Sequence, residues 1–389
     1  MTVRVWGTLF VVGCLAAIVA AQPACKKKSE PQGAAAADVA PLPPPPAEDV
    51  APSPPPAADA APAPAEATAG LDLSKEPIQP LPTDLQLDAK MVALGKRLFF
   101  DPQLSADGTV SCASCHSLDK GGADGQPRSD GVGGKLGGVN APTVLNSGFN
   151  FVQFWDGRAA SLEEQAGGPV ANPIEMAGDW NKIVEGLGKD ESYVALFGEA
   201  FPGSGISAGN IRRAIAEYER SLVTPSRFDA YLRGNAEAIT AEEKEGYALF
   251  KSVGCPQCHN GVNAGGTMFA KLGVAADYFA DRGNVTEADY GRFHVTQNEA
   301  DKFQFKVPTL RNVELTSPYF HDAAKETIEL AVAAMAHYQL GRELTPEERA
   351  KIVAFLKSLT GEIPPAAFPE PAAVAPADGG AASAAPATP

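Results

Sequence analysis

Cysteine is scarce in this 389-residue chain and leaves no room for a disulfide framework. Of six cysteines, Cys14 and Cys25 lie in the first 25 residues, and the other four stand in two identical patterns. Histidine is scarcer still, at five, and two of those directly follow the cysteine patterns. Basic charge is in deficit: 32 Lys and Arg face 47 Asp and Glu, a formal net charge of −15. That excludes the basic face a nucleic-acid partner would want. It suits solubility and a basic protein partner, and an ordinary solvated acidic surface explains it equally well. No sustained apolar–polar alternation runs through the chain, so a sheet-based fold is not expected.

The two ends also lack what a folded core needs. One positive charge in Met1–Arg4 precedes an apolar run from Val5 to Ala21, and Lys26, Lys27 and Lys28 follow. This reads as an export signal over residues 1–25, with a retained membrane anchor as the alternative. Val11-Val12-Gly13-Cys14 and Ala24-Cys25 both loosely resemble lipoprotein processing sites. Residues 26–72 are nearly all Ala and Pro with a few acids. So little apolar side-chain area cannot offset chain entropy, and the segment is expected to be a disordered linker, stiffened at Pro43–Pro46. A similar tail is expected over 364–389.

What is present decides the class. Cys112-Ala113-Ser114-Cys115-His116 and Cys255-Pro256-Gln257-Cys258-His259 share the Cys-x-x-Cys-His spacing of c-type haem attachment. Two thiols three residues apart reach the two vinyl groups on one porphyrin edge, and the adjoining histidine then lies under the iron as proximal ligand. A zinc knuckle would need a second ligand pair close by, and a redox dithiol leaves both histidines unexplained. The reading is two covalently attached haems.

Helix signals dominate the body, giving an all-α expectation of two cytochrome c-type haem domains with long connecting loops. Met91, Leu94 and Leu98 recur at helical spacing, as do Ile211, Ala214, Ile215, Tyr218 and Leu222. Thr240–Glu243 and Thr345–Glu348 are capping boxes, the second opening a helix with Ile352, Phe355, Leu356 and Leu359 inward and a stop at Gly361. Gly121–Gly138 is a glycine-rich loop. The predicted domains are 73–230 and 231–363, joined near 225–240.

Four further segments narrow this. Leu94-Gly-Lys-Arg-Leu-Phe-Phe-Asp-Pro102, Asn140-Ala-Pro-Thr-Val-Leu-Asn146, Gln153-Phe-Trp-Asp-Gly-Arg158 and Pro318-Tyr-Phe-His-Asp322 resemble the bacterial di-haem cytochrome c peroxidases, over roughly residues 80–360. The resemblance implies that the first haem, on Cys112, Cys115 and His116, is the low-potential peroxidatic one. The second, on Cys255, Cys258 and His259, is implied to be the high-potential haem that accepts electrons. Met335 matches the methionine that completes the second iron; Ile328, Val332 and Met335 share one apolar face of a short helix, where a methionine would otherwise read as core. A thioether ligand raises the potential. Trp155 matches the tryptophan between the haems, with buried packing as its plainer role.

Gln165 and Glu175 match the polar residues above the peroxidatic iron. Heterolysis of an O–O bond moves a proton from one peroxide oxygen to the other, and a carboxylate can carry it. Without the resemblance, Glu175 would read as a solvated loop residue. Asn140, Thr316 and Pro318 match calcium ligands, the latter two through main-chain oxygens. His321 is expected to be structural or a hydrogen-bond partner, His294 and His337 to be ordinary helix or surface residues.

One departure stands out. The family histidine that caps the oxidised peroxidatic iron falls, on an ungapped count back from Asn140, at Val132. No histidine occurs between Ser117 and Asn150. The peroxidatic haem is therefore expected to be open or water-bound at rest; Lys135 is the one substitute ligand in the loop, and only if deprotonated, with a surface lysine its plainer reading. The resemblance implies reduction of hydrogen peroxide with electrons from a small c-type cytochrome or cupredoxin by a calcium-containing homodimer; the export segment places it in the periplasm or tethered to the envelope as a lipoprotein. One rival is a di-haem enzyme oxidising protein tryptophans, in which tyrosine replaces the methionine, so Met335 speaks against it. The other is a plain electron-transfer cytochrome, against which Gln165 and Glu175 speak.

Overall fold

The computed structural model describes residues 71–369. The predicted export segment, nearly all of the linker and most of the tail lie outside them. Among the described residues no helix is long and apolar enough to cross a membrane. The first half carries α1 (Ala89–Phe99), α2 (Cys112–Cys115), α3 (Leu162–Ala171), α4 (Trp180–Leu187), α5 (Glu191–Ala200) and α6 (Ala208–Ser221). After α7 (Arg227–Leu232) come α8 (Ala241–Val253), α9 (Tyr278–Arg282), α10 (Phe293–Thr296), α11 (Ile328–Leu340) and α12 (Pro346–Ser358). Two short strands, β1 (Phe269–Lys271) and β2 (Gln304–Lys306), pair antiparallel with Ala270 opposite Phe305. The rest is loop and 3-10 turn, and the all-α expectation holds.

Two helix crossings organise two cores. α1 lies across α6, and a Cβ at Gly95 would stand 1.9 Å from the carbonyl oxygen of Ala214. α8 lies across α12 in the same manner, with a Cβ at Gly246 placed 1.9 Å from the carbonyl oxygen of Lys351. Only glycine lets the backbones approach this closely. Around the first crossing pack Leu94, Leu98, Phe99, Phe197, Ile211 and Tyr218. Around the second pack Phe228, Tyr247, Phe250, Ile352, Phe355 and Leu356. Each such side chain contributes about 1.5–3 kcal/mol on burial. Both predicted capping boxes are formed, at Thr240 and Thr345.

The ends of the described chain cross over. Leu71, Leu73 and Ile78 pack into the second core, not with the first domain to which residues 73–81 were expected to belong. Ile363, Ala367 and Phe368 pack on the first core, and Tyr218 donates its hydroxyl to the carbonyl of Ala367 at 2.7 Å. The order therefore reaches past the expected tail boundary at 364, because Ala367 and Phe368 find an apolar seat. The expected division at 230/231 falls inside α7, whose Phe228 and Leu232 are buried in the second core. α12 ends at Ser358 with Leu359 as its cap, ahead of Gly361, whose pairing with Ser226 leaves no room for a Cβ.

A fully buried ion pair fixes the second half. Arg311 donates to both carboxylate oxygens of Asp229, at 2.8 and 3.0 Å, and also to the carbonyls of Val262 and Gln79. Asp229 further accepts from the amides of Leu81 and Ser226. Every charge is matched, as a buried pair requires.

Candidate functional site

The first cysteine pair sits on α2, opened by Ser111, whose amide donates to the Ser114 hydroxyl at 3.0 Å. One helical turn puts Cys112 and Cys115 on one side and delivers His116, whose amide closes on the Cys112 carbonyl at 3.0 Å. Neither thiol is in a disulfide. Burial pushes both up, helped at Cys112 by Glu219 and at Cys115 by Asp124 and Glu175, so they stay protonated. His116 is held neutral by burial, and its Nδ1 lies 3.3 Å from the carbonyl oxygen of Gly122. That contact places the proton on Nδ1 and leaves the Nε2 lone pair for a metal.

The second pair repeats the device. α8 ends at Gly254 in a left-handed conformation, φ 111°, and the chain turns through Cys255–Gln257 so that the His259 amide closes on the Cys255 carbonyl at 3.0 Å. Burial pushes the Cys255 thiol up to about 11 and the His259 imidazole down to about 4. His259 Nδ1 is buried without a hydrogen-bond partner, although the carbonyls of Ala264 and Pro308 face it. A cavity of roughly 350 Å³ opens beside it, with Cys255, Cys258, His259 and Met335 in its wall among apolar side chains such as Phe250 and Leu356. Two neutral thiols, a neutral imidazole and a thioether around an apolar slot suit a haem and its soft-ligated iron, and would suit a hard cation poorly. The residues fit the group.

Met335 lies on α11, half-buried against the cluster that Leu272, Tyr278, Phe279 and Phe305 form. Met268, by contrast, is exposed and outside the cavity wall.

Trp155 lies on the same wall. Its indole Nε1 donates to the Asn140 carbonyl at 2.9 Å, and the His321 ring meets it edge-on at 6.2 Å. Asn140, Thr316 and Pro318 all line this cavity, and Pro318 follows a cis peptide at Ser317–Pro318. Asn140 donates Nδ2 to the Gln126 carbonyl at 2.8 Å and its amide to the His321 carbonyl at 2.9 Å. His321 is buried, stacks on Phe305 at 4.3 Å and shares a hydrogen bond with Asp289 at 2.8 Å. Burial opposes ionisation of Asp289, yet Arg282, Thr286 and His321 hold its carboxyl well below the usual range. His294 and His337 are partnered near the surface by the Glu287 carbonyl and the Glu343 carboxylate.

Glu175 follows α3 in a tight turn, half-buried, with Asn172 Nδ2 donating to Oε1 at 2.7 Å. Burial raises its pKa against the pull of Arg158 and Asn172. It is close enough to act on Cys115 electrostatically. Gln165 is half-buried on α3. The loop with Val132 lies against this turn: the Val132 amide donates to the Glu175 carbonyl at 2.7 Å, and Lys135 Nζ donates to the Pro173 carbonyl at 2.9 Å. Lys135 is thus exposed and already bonded.

Two buried groups escaped sequence reasoning. Glu219 on α6 is buried with Oε2 unpartnered, and burial raises its pKa to about 8. Lys306 on β2 is buried in the cavity wall. Of the two, only Lys306 carried a sequence signal, a lone cation among Phe303, Phe305 and Val307.

Two haem-binding cysteine motifs, on two helical cores built about glycine crossings, define a di-haem cytochrome c, and a family model for "Di-haem cytochrome c peroxidase" matches residues 89–237. This chain belongs to that family. It is 52% identical over 292 residues to the cytochrome c peroxidase Ccp of Escherichia coli (strain K12), a match covering 75% of this chain and 62% of that protein. It is 48% identical to the cytochrome c551 peroxidase of Nitrosomonas europaea, covering 77% of this chain and 88% of that one. Among solved structures, a MauG-like protein associated with microbial copper homeostasis superposes with a TM-score of 0.66 at 30% identity, covering 78% of this chain and 99% of the other.

Proposed function

We propose that this protein reduces hydrogen peroxide to two waters, using two electrons and two protons, with a small c-type cytochrome or cupredoxin as donor. The haems supply the redox-active irons. Cys112 and Cys115, and likewise Cys255 and Cys258, would hold them through thioether bonds, and His116 and His259 would each offer Nε2 to an iron. Met335 would offer its thioether to the second iron, which would then serve to relay electrons. Trp155, clamped to Asn140 and His321, bridges the two halves.

The observation that carries this reading is the placement of Glu175. Its burial-raised pKa and its seat near Cys115 suit a carboxylate that takes a proton from one peroxide oxygen and returns it to the other. Asn172 orients that carboxylate, and Gln165 offers an amide to the oxidant. Val132 beside them cannot ligate iron.

Calcium at Asn140, Thr316 and Pro318 is part of the proposal, as oxygen donors from distant segments suit that ion. So are export to the periplasm and a lipid or N-terminal tether, which rest on the apolar run Val5–Ala21 and the cysteines Cys14 and Cys25, and a homodimer, which rests on the sequence resemblance. The test is a steady-state assay of the haem-loaded protein with reduced cytochrome c and peroxide. Donor oxidation that depends on both protein and peroxide is expected, and none would overturn the proposal.

A further inference from the structure

The cavity of the second haem motif has an uneven charge inventory. Among the described residues in its wall there is no Asp, Glu or Arg, and Lys306 is the one lysine. Lys306 is only 6% exposed. Its main-chain amide is occupied by the Trp155 carbonyl at 2.8 Å. No carboxylate, carbonyl or hydroxyl among the described residues accepts from its Nζ, whereas Arg311, the other buried Lys or Arg among them, is saturated with acceptors. Burial without a counter-charge pushes its pKa down to about 8.

An ammonium desolvated and left alone is costly, so native proteins pair such groups. The protein offers no partner. A haem brings two carboxylates into the same cavity, and these are the anions that would otherwise enter an apolar slot uncompensated. We propose that Lys306 is the ion-pair partner of a haem propionate in this cavity and that its charge holds the potential of the second haem up. The sign follows from Coulomb's law: a fixed positive charge near the iron disfavours the ferric state, which carries one more positive charge than the ferrous. Lys306 thereby joins Met335 in making the second haem the electron acceptor, through the charge of the cofactor's periphery instead of through the metal. It is a positioning residue, and the inference rests on the second-haem assignment.

The experiment is spectroelectrochemical titration of the haem-loaded full chain, comparing wild type with Lys306→Met and Lys306→Arg. Lys306→Met should lower the midpoint potential of the second haem while its methionine-ligated spectrum persists, and Lys306→Arg should stay near wild type. An unshifted midpoint in Lys306→Met, with haem content and methionine ligation intact, overturns the inference and leaves the peroxidase reading standing. Loss of methionine ligation in the wild type would instead overturn the second-haem assignment. Should Lys306→Met fail to fold, a crystal structure of the haem-loaded wild type decides. Nζ hydrogen-bonded to a propionate oxygen supports the pairing, and Nζ bonded only to protein or water refutes it.

Discussion

The Val132 amide donates to the main-chain carbonyl of Glu175 at 2.7 Å. This bond ties the segment where the sequence resemblance led to the expectation of an iron-capping histidine to the residue proposed to move the proton. The approach is close because Gly131 precedes Val132: a Cβ at Gly131 would stand 2.1 Å from the Ile174 carbonyl oxygen. A loop pinned on both sides, at Val132 and at Lys135 through Pro173, is poorly placed to swing a ligand onto and off the metal.

A spin-state prediction follows. The ferric protein as isolated should show a high-spin fraction by EPR and absorption, and should turn over without prior reduction. Val132→His should convert that fraction toward low spin. A wholly six-coordinate low-spin spectrum in the wild type contradicts an open site.

Glu175→Gln tests the proton carrier. Turnover should fall by about 10²–10⁴-fold, the range of a lost general acid–base group, with both haem spectra retained. Burial raises the Glu175 pKa, so the carboxylate needed to accept a proton is lost already above the ordinary glutamate value of about 4.3. The acid limb of the pH–rate profile should therefore lie above that value in the wild type and vanish in the variant. The same shift makes the charged form a burden on the fold: its stability contribution is complete below the unfolded pKa and declines as pH rises through the folded one. Glu175→Gln should not destabilise the protein at neutral pH, and a large stability loss would mark the residue as structural instead.

The Arg311–Asp229 pair carries the opposite pH signature. Burial opposes ionisation of Asp229, yet Arg311 and the amides of Leu81 and Ser226 lower its pKa. A depressed folded pKa contributes stability that is present above the unfolded value of about 3.9 and is lost as pH falls through the folded one. Asp229→Asn leaves the guanidinium buried without its counter-charge and should cost about 3–5 kcal/mol in urea unfolding monitored at neutral pH. The difference from wild type should shrink toward acid pH. A constant difference down to the lowest pH at which the wild type is folded would show that hydrogen-bond geometry, not charge, is what matters there.

How much of this was legible in the sequence depends on range. The haem-bearing turns were, because Cys-x-x-Cys-His is a local geometry, and so were the capping boxes at Thr240 and Thr345. The crossing of the chain ends was not: Ile78 and Phe368 are isolated apolar residues beside Pro-rich stretches, with no periodicity to say which core receives them. The neighbourhood of Glu175 and Val132 depends on a main-chain bond between residues 43 apart in sequence, which no side-chain pattern encodes. Glu219 illustrates the hardest case. A charged residue reads as solvated, and only the three-dimensional packing shows that water is excluded.

Met335 offers the cleanest separation of relay from catalysis. Its helix places it in the wall of the cavity that also holds His259, and its half-buried side chain packs on the apolar cluster of Leu272, Tyr278, Phe279 and Phe305. Replacing it by histidine substitutes a nitrogen donor for a thioether. Nitrogen stabilises ferric iron relative to sulfur, so the midpoint potential of the second haem should fall while the iron stays low-spin. Electrons from the donor would then stall on entry, and donor-dependent turnover should drop. Reaction of the fully reduced protein with peroxide should continue, because Glu175 and Gln165 belong to the other half and are untouched. Stopped-flow mixing of pre-reduced Met335→His with peroxide distinguishes the outcomes: loss of the peroxide reaction itself would mean that Met335 serves the catalytic haem, and the division of labour between the two irons would have to be abandoned.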